Sequence, residues 1–202
     1  DKGVPLADAF AEINIVDSDK IEDYVKANGI DLVYSVGSDI AVPVFSKVSE
    51  HLNMPHFVSG KTAEICCNKH LMREALGADN RFNVPFAVCE TLDEARNADF
   101  YPLMIKPVDS QGQRGVFRAE SFGEFEAYFD RAKAHSRCGK VILEKFILGS
   151  EVSVNAYVKD GEVIFSMLSD RESFANFPGG IIKAHHLPSV FEGTPTHEKI
   201  CE

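Results

Sequence analysis

The sequence lacks any apolar run that approaches the roughly 18–20 residues needed to cross a bilayer. It also lacks an excess of positive charge, because 21 Lys and Arg stand against 31 Asp and Glu and give a net charge of −10. An acidic surface does not attract nucleic acid or anionic membranes, so neither is expected as a partner. The first five residues do not have the pattern of a signal peptide. Together these features predict a cytoplasmic protein.

Patterns for disulfides, metal ligands and a P-loop are also lacking. The five cysteines are odd in number and contain no Cys-x-x-Cys pair, so they predict neither a disulfide framework nor a zinc site. The seven histidines have no matching cysteine or carboxylate spacing, and no metal ligand is assigned in this chain. Residues 59–62 resemble the end of a P-loop, but Pro55 stands where its first glycine is required.

The opening part of the chain alternates strand and helix patterns. Apolar alternation predicts strands at residues 10–16 and 30–36, and helical spacing predicts helices at residues 18–28 and 40–52. This order is typical of an α/β fold with a parallel sheet. The polar loop at residues 37–39 is either a ligand loop at the end of a strand or a simple helix cap.

Helix signals continue in the next part of the chain. A helix is predicted at residues 61–76, and capping-box patterns at residues 91–94 and 121–124 predict two more. The helix at residues 122–134 carries apolar residues at helical spacing, which indicates core packing and not a cofactor site. These residues are Phe122, Phe125, Phe129 and Ala132.

Residues 101–118 have the pattern of a β-hairpin with a loose polar tip. Lys106 ends the first strand, and Ser110, Gln111 and Gly112 follow in the tip. The Lys106 ammonium and the backbone N–H groups at Gly112 and Gly115 can approach an anion closely, which suits the phosphates of a nucleotide. An ordinary surface hairpin with a lysine at its strand end fits the same residues.

Two glutamates mark the strands that follow. Glu144 lies in an apolar strand, and Glu151 opens an alternating strand after a glycine turn. One carboxylate could accept from an adenine amino group and the other from ribose hydroxyls. A turn at residues 160–161 then predicts an antiparallel return over residues 163–168, and a further strand is predicted at residues 181–187.

In order and spacing, these stretches resemble the ATP-grasp superfamily, in particular its carbamoyl-phosphate-synthase-like and amino-acid-ligase branches. The resemblance implies that Lys69 and Lys106 bind the nucleotide phosphates, and that Glu151 holds the ribose. It implies further cofactor-binding roles over the phosphates for Ser110, Gln111 and Gly112, and around the adenine for Glu144, Lys145, Phe146 and Ile147.

The resemblance also implies a fold that is α/β and then α+β. Residues 1–60 correspond to the end of a parallel-sheet, Rossmann-like pre-ATP-grasp domain, and residues 61–202 to an ATP-grasp domain with a mobile glycine-containing hairpin. The family places its metal ligands, an acidic residue and a Glu-x-Asn, on strands that follow the part resembled here, so ligands for Mg²⁺ are expected beyond residue 202. We therefore expect a chain truncated at both ends that binds ATP weakly and is inactive alone.

The function implied is that of an ATP-dependent carbon–nitrogen ligase, which activates a carboxylate as an acyl phosphate for attack by an amine. Lys106 and Arg171 are the candidate catalytic residues, since a guanidinium matches a substrate carboxylate through two hydrogen bonds. A solvated ion pair of Arg171 with Asp170 or Glu172 fits equally well. Activation of bicarbonate, as in carbamoyl-phosphate synthases and biotin carboxylases, and a non-catalytic nucleotide-binding module are the alternatives. The expected partners are small molecules, with a homodimer left open.

Overall fold

A computed structural model of the protein describes residues 3–35, 37–174 and 181–201. The chain divides into two compact units, Asp1–Asn83 and Val84–Glu202. This division lies beyond the predicted domain boundary at residue 60, because the helix over Gly60–Cys67 packs against the helix before it. The Gly60 N–H donates to the Glu50 carboxylate at 3.0 Å. The predicted domain division stays a prediction.

The first unit is helical over its described residues. The first helix begins after Asp17, whose carboxylate accepts from the Lys20 N–H at 3.2 Å. It ends before Gly29, which adopts a left-handed conformation with φ of 62° and so terminates the helix. The elements are a 3-10 turn at Val4–Leu6 and the helices α1 (Ser18–Asn28), α2 (Val42–His51), α3 (Gly60–Cys67) and α4 (Lys69–Leu76).

The two strands predicted at residues 10–16 and 30–36 do not form in the described part of this unit, and neither does their parallel sheet. Several apolar side chains in these segments are exposed, including Phe10 at 61%, Leu32 at 57% and Tyr34 at 63%. A strand needs a neighbour that pairs with its backbone, and an alternating pattern does not supply one. This part of the fold prediction is therefore not confirmed.

The helix predicted at residues 61–76 is broken into α3 and α4 by Asn68. Asn68 has an extended backbone with φ of −119° and ψ of 115°, and its side chain accepts from the N–H groups of His70 and Leu71. Asparagine is a strong N-cap residue because its side-chain oxygen replaces the missing helical acceptors. The break places Lys69 at the first position of α4.

The second unit begins with a four-stranded sheet, here called the first sheet. Its strand order is β1-β4-β2-β3, and every neighbouring pair is antiparallel. β2 and β3 pair at the place of the predicted hairpin, and the mobility of that hairpin stays a prediction. The capping box at Thr91 and Glu94 also forms. The elements are β1 (Phe86–Cys89), α5 (Leu92–Ala95), β2 (Leu103–Pro107), β3 (Phe117–Ala119), α6 (Phe122–Lys133) and β4 (Val141–Lys145).

One face of the first sheet is covered by α6, which forms the main core of the unit. Phe125 of α6 is fully buried, as are Leu103, Ile105 and Leu143 of the sheet. The predicted aromatic stripe is thus core packing. Because alternate residues of a strand point to opposite faces, the residues between these buried ones face the other side.

A second sheet follows with strand order β5-β6-β7, again antiparallel throughout. Together with the first sheet it gives the mixture of helices and antiparallel sheets expected of an α+β fold. Within the described residues no helix is long and apolar enough to span a bilayer. The elements are β5 (Val152–Lys159), β6 (Glu162–Ser173), β7 (Ile182–His186) and α7 (Pro195–Cys201).

Candidate functional site

The face of the first sheet opposite α6, here called the open face, carries Lys106 and Glu144. In the strand register Glu144 lies opposite Met104 and Lys106 lies opposite Ile142. Side chains directly opposite each other in an antiparallel pair share a face, so these four lie together. Leu103 and its neighbours in the core occupy the other face.

Lys106 and Glu144 form an ion pair between the Lys106 Nζ and the Glu144 Oε2. The Glu144 side chain is only 4% exposed, whereas the Lys106 side chain is 26% exposed. A carboxylate so deeply buried requires a charged or hydrogen-bonding partner. The sheet therefore presents a positive donor and a negative acceptor side by side, and the donor is the more exposed of the two.

The loop after β2 is fixed at its start by Asp109. One carboxylate oxygen of Asp109 accepts from the Ser136 hydroxyl at 3.0 Å and the Arg137 N–H at 3.1 Å, and the other accepts from the Cys138 N–H at 3.2 Å. The Arg137 guanidinium donates to the Asp109 carbonyl oxygen at 2.8 Å. Asp109 thus attaches the loop to the segment after α6 and does not belong to a loose tip.

The same loop is fixed at its return by Gly115. A Cβ at Gly115 would lie 2.9 Å from His135 Cδ2 and 2.9 Å from Pro107 Cγ, and its φ of 71° also favours glycine. Gly115 therefore serves close packing and not the approach of an anion. Between Asp109 and Gly115 lie residues 110–114, here called the tip.

The tip holds the predicted phosphate-covering residues Ser110, Gln111 and Gly112. Gly112 has a φ of 64°, and a Cβ there would meet no atom within 4 Å. Gln113 also has a positive φ of 61°. The Arg114 Nε donates to the Gln111 carbonyl oxygen at 3.3 Å, which closes the tip on itself. Gly112 is thus the position of the tip where the backbone is most open to a ligand.

The segment after β4 is held to the first sheet at two backbone positions. The Lys145 N–H donates to the Pro85 carbonyl oxygen at 2.9 Å, and the Phe146 N–H donates to the Pro102 carbonyl oxygen at 2.9 Å. Ile147 is 61% exposed. The N–H groups of Lys145 and Phe146 are therefore used within the unit and are not available to a bound base.

Glu151 and Arg171 meet at the second sheet. The Arg171 backbone N–H donates to the Glu151 carbonyl oxygen at 3.0 Å, and its guanidinium Nη1 lies 3.7 Å from the Glu151 carboxylate. Within the described residues the buried Arg171 Nε has no hydrogen-bond partner. The predicted pairing of Arg171 with Asp170 or Glu172 is not observed among the salt bridges; Glu151 takes that place. Arg171 and Glu151 line an open cavity of about 430 Å³ with Gly149, Ser150, Asp170, Ser173, Val190 and Phe191.

One wall of this cavity is built by Asp170. Its carboxylate accepts from the Ser189 hydroxyl at 2.6 Å and from the Val190 N–H at 2.8 Å. These two hydrogen bonds, the Ser189 one first, hold the pKa of Asp170 below its ordinary value. Asp170 therefore remains ionised at neutral pH and holds Val190 and Phe191 at the cavity rim.

Neighbouring groups of the second sheet are paired among themselves. Glu172 contacts Lys183, and its other oxygen lies 2.8 Å from His186 Nε2. These contacts, that with Lys183 first, lower the pKa of Glu172. His185 Nδ1 lies 3.1 Å from the Ser169 hydroxyl oxygen. Lys183 and His185 thus have structural partners beside the cavity.

Similarity to known proteins agrees with this geometry. The chain is 33% identical to the ATP-grasp enzyme fsqD of Aspergillus fumigatus over 133 residues, which cover 63% of this chain and 23% of that protein. It is 27% identical to the D-alanine–D-alanine ligase of Heliobacterium modesticaldum over 149 residues, which cover 68% of this chain and 37% of the ligase. No family model matches the chain.

Among solved structures, the biotin carboxylase domain of the Hydrogenobacter thermophilus 2-oxoglutarate carboxylase has a TM-score of 0.70 at 20% identity, and the match covers 98% of this chain and 47% of that one. In sequence the chain is similar to an ATP-grasp enzyme, and in fold it is similar to a biotin carboxylase domain. The predicted resemblance to the ATP-grasp superfamily is thus confirmed. The chain spans 23% and 37% of the length of the two curated relatives.

The structure brings four of the predicted site residues together in two ion pairs, Lys106 with Glu144 and Glu151 with Arg171. Lys69 lies in the other compact unit, at the start of α4. Sequence reasoning missed Asp109 and Asp170, because acidic residues in polar loops or at strand ends carry no signal of which distant backbone they will bind. The binding role of each predicted residue stays a prediction.

Proposed function

We propose that this chain is the ATP-binding portion of an ATP-dependent ligase that activates a carboxylate as an acyl phosphate for attack by an amine. The observation that carries the proposal is the Lys106–Glu144 pair on the open face of the first sheet. The similarity to an ATP-grasp enzyme and to a D-alanine–D-alanine ligase supports it. A cytoplasmic location and small-molecule partners belong to the same proposal, with a homodimer left open.

The charge arrangement of the pair fits adenine. Adenine presents an amino donor and the acceptor N7 next to each other on one edge, whereas guanine presents two acceptors there. Glu144 would accept from the amino group, and the Lys106 ammonium beside it would face N7 and the start of the triphosphate. The Lys145 carbonyl and the Ile147 N–H are proposed to complete the contacts with the base. A guanine base would bring an oxygen towards the Glu144 carboxylate and is disfavoured.

The triphosphate would extend from Lys106 towards the tip. Gly112 leaves the tip backbone open, and Ser110 and Gln111 flank it. Lys69 is proposed as a second lysine for the phosphates, with its place at a helix N-terminus favourable for negative charge. Phosphoryl transfer needs positioned cations and dipoles more than a protein nucleophile.

Glu151 is proposed to accept from the ribose hydroxyls, and Arg171 to hold the carboxylate that is activated. The buried Arg171 Nε without a partner supports the second role, because a bound carboxylate would satisfy it. In the reaction a carboxylate oxygen attacks the γ-phosphorus and ADP leaves. The amine nitrogen then attacks the acyl carbon, and phosphate leaves.

Magnesium is implied by the family, but the residues present do not fit it. Among the described residues no group of three His, Cys, Asp or Glu side chains could hold a metal ion. No step is therefore assigned to Mg²⁺ here.

The test is the affinity for ATP of the full-length protein and of its Lys106→Ala variant, measured by calorimetry. Removing a phosphate and base contact in a partly buried site is expected to cost about 2–4 kcal/mol, or roughly 30- to 1,000-fold in affinity. Lys159→Ala is the matched control, because Lys159 is an exposed lysine at the end of β5. Equal affinity of the Lys106→Ala variant and the wild type would remove the basis of the proposal.

Measuring ADP release by the same protein distinguishes the ligase from two alternatives, bicarbonate activation and a non-catalytic nucleotide-binding module. The fold likeness to a biotin carboxylase domain solved with bicarbonate favours bicarbonate activation as the second candidate. ADP release that depends on a carboxylate and an amine supports the ligase, and ADP release driven by bicarbonate alone supports this alternative. ATP binding with no turnover under any of these conditions supports the non-catalytic nucleotide-binding module.

A further inference from the structure

Arg118 lies on the open face but has no role in the site proposed so far. It stands on β3 opposite Met104, and Met104 stands on β2 opposite Glu144. The three side chains therefore form one row across the sheet. The Arg118 guanidinium carbon lies 4.0 Å from the centre of the Phe146 ring, and its Nη2 lies 2.6 Å from the Glu120 carboxylate. Arg118 thus reaches across β2 towards the end of β4.

Phe146 is the residue at which the chain leaves the first sheet. The segment 146–151, here called the linker, connects β4 to β5. Phe146 is fixed by its backbone through Pro102 and by its ring through Arg118. The next two residues are exposed, Ile147 at 61% and Leu148 at 88%. Among the aromatic and ionic contacts of the described residues, the stacking of Arg118 on Phe146 is therefore the last one along the chain that joins a side chain of the first sheet to the linker.

The row of Arg118 lies away from the tip. Lys106 is two residues nearer the tip than Met104 on β2, which corresponds to about 7 Å along the strand. Arg118 is aligned with Glu144, the proposed adenine contact, and not with Lys106. Its place thus corresponds to the base end of the site and not to the phosphate end.

We propose that Arg118 is a positioning residue for the base end of the nucleotide site. It holds the Phe146 ring against the open face, and through Phe146 it fixes the backbone of Lys145 and Ile147 beside Glu144. Removing it lets the linker leave the sheet, while the groups proposed for the phosphates stay in place. The inference rests on the proposed function, since it assigns a role within the same site.

The experiment compares ATP with inorganic tripolyphosphate as ligands of the full-length protein. An exposed cation–π contact is worth about 0.5–1 kcal/mol, so Arg118→Ala is expected to weaken ATP binding roughly two- to fivefold. Binding of tripolyphosphate, which has no base, is expected to be unchanged. Arg118→Lys keeps the charge but loses the planar guanidinium, and its ATP affinity is expected to lie between those of the wild type and of Arg118→Ala.

Arg96→Ala is the matched control. The Arg96 guanidinium lies 4.6 Å from the centre of the Phe122 ring and 3.2 Å from the Asp93 carboxylate. Arg96 thus makes the same two kinds of contact as Arg118, with an aromatic ring and a carboxylate, but does not lie on the open face. A second measurement is hydrogen exchange of the amides of residues 145–148. Arg118→Ala is expected to increase their exchange rate, with or without nucleotide, and Arg96→Ala is expected to leave it unchanged.

The outcomes separate the two proposals. Weaker binding of both ATP and tripolyphosphate would make Arg118 a phosphate ligand and overturn the positioning role. Unchanged ATP binding or unchanged exchange at residues 145–148 would overturn it as well. If Lys106→Ala leaves ATP affinity intact, or the wild type binds no ATP, the proposed function itself fails, and the exchange measurement alone decides whether Arg118 anchors the linker.

Discussion

The first and second sheets are built from similar residues but differ sharply in burial. On β4 the side chains of Val141 and Leu143, which belong to the core on the side of α6, are 0% exposed. On β6 the side chains of Val163, Ile164 and Phe165 are 57–64% exposed. Since consecutive residues point to opposite faces, both faces of β6 are uncovered at this place. Apolar content therefore predicts a strand, and coverage by a helix such as α6 decides whether it forms a core.

The difference also divides the site. Lys106 and Glu144 stand on the sheet that α6 supports, so their backbone is held by a packed core. Glu151 and Arg171 stand at the only end of the second sheet where β6 is buried, beside Leu168 at 2% and Ser169 at 1% among the described residues. We therefore expect the base and phosphate groups to be positioned more rigidly than the proposed substrate groups.

The largest expected effect is that of Phe125→Ala on α6. Phe125 is fully buried under the first sheet, so its removal leaves a cavity and is expected to cost about 3–5 kcal/mol. Phe165→Ala on the second sheet is the control, since Phe165 is 57% exposed, and it is expected to cost about 0.5 kcal/mol or less. Urea denaturation measures both. Equal losses would show that the two sheets do not differ in this way.

An intermediate effect is expected for Ser121→Ala, which removes the N-cap of α6. The Ser121 hydroxyl accepts from the Glu124 N–H at 3.4 Å, and loss of such a cap typically costs about 1 kcal/mol. Ser166→Ala, the same change at an exposed position of β6, is expected to be neutral. The free energy of unfolding from urea titration distinguishes the two, and a larger loss for Ser166→Ala would contradict the dependence of the first sheet on α6.

The smallest effect is expected from acid and concerns the second sheet. The pKa of Asp170 is lowered from its ordinary value of 3.8 by Ser189 and Val190. Folding therefore favours the ionised form, and the stabilisation is present above that ordinary value and is lost as the pH falls through the lowered pKa. The hydrogen-exchange protection of the Val190 amide, relative to the intrinsic exchange rate at each pH, is expected to fall below about pH 4.

Asp170→Asn is expected to raise exchange at Val190 already at neutral pH and to remove this acid dependence. Glu172, whose pKa is lowered by Lys183 and His186, titrates in a neighbouring range, so Glu172→Gln is the parallel variant. If Glu172→Gln removes the acid response at Val190 and Asp170→Asn does not, the assignment to Asp170 is wrong.

Local signals predicted much of the fold. The bounds of α1 follow from Asp17 and Gly29, and the start of α6 follows from Ser121, because caps and left-handed glycines act within a few residues. The break at Asn68 was also readable, since asparagine is a strong N-cap. The strands at residues 10–16 and 30–36 were wrong for the described residues because pairing partners are distant in sequence and leave no local trace.

The site was predictable as a set of residue types but not as a geometry. Lys106 and Glu144 are 38 residues apart, and only the register of β2 on β4 makes them neighbours. Gly115 was interpreted as a phosphate glycine, although the side chains of His135 and Pro107 explain it. Asp109 binds Arg137 and Arg118 stacks on Phe146, and each partner lies 28 positions further along the chain. No local pattern indicates either contact.

The two ends of the tip are fastened to one short segment, since Asp109 binds residues 136–138 and Gly115 packs on His135. Asp109 and Gly115 are six residue steps apart and span about 20 Å when fully extended, so the arch can rise only about 10 Å above its base. It can cover a phosphate or two but cannot swing as a long lid. Residues 135–138 directly follow α6, so a shift of the carboxyl end of this helix would move both ends of the tip together. The core helix is therefore coupled to the place where the triphosphate is proposed to bind.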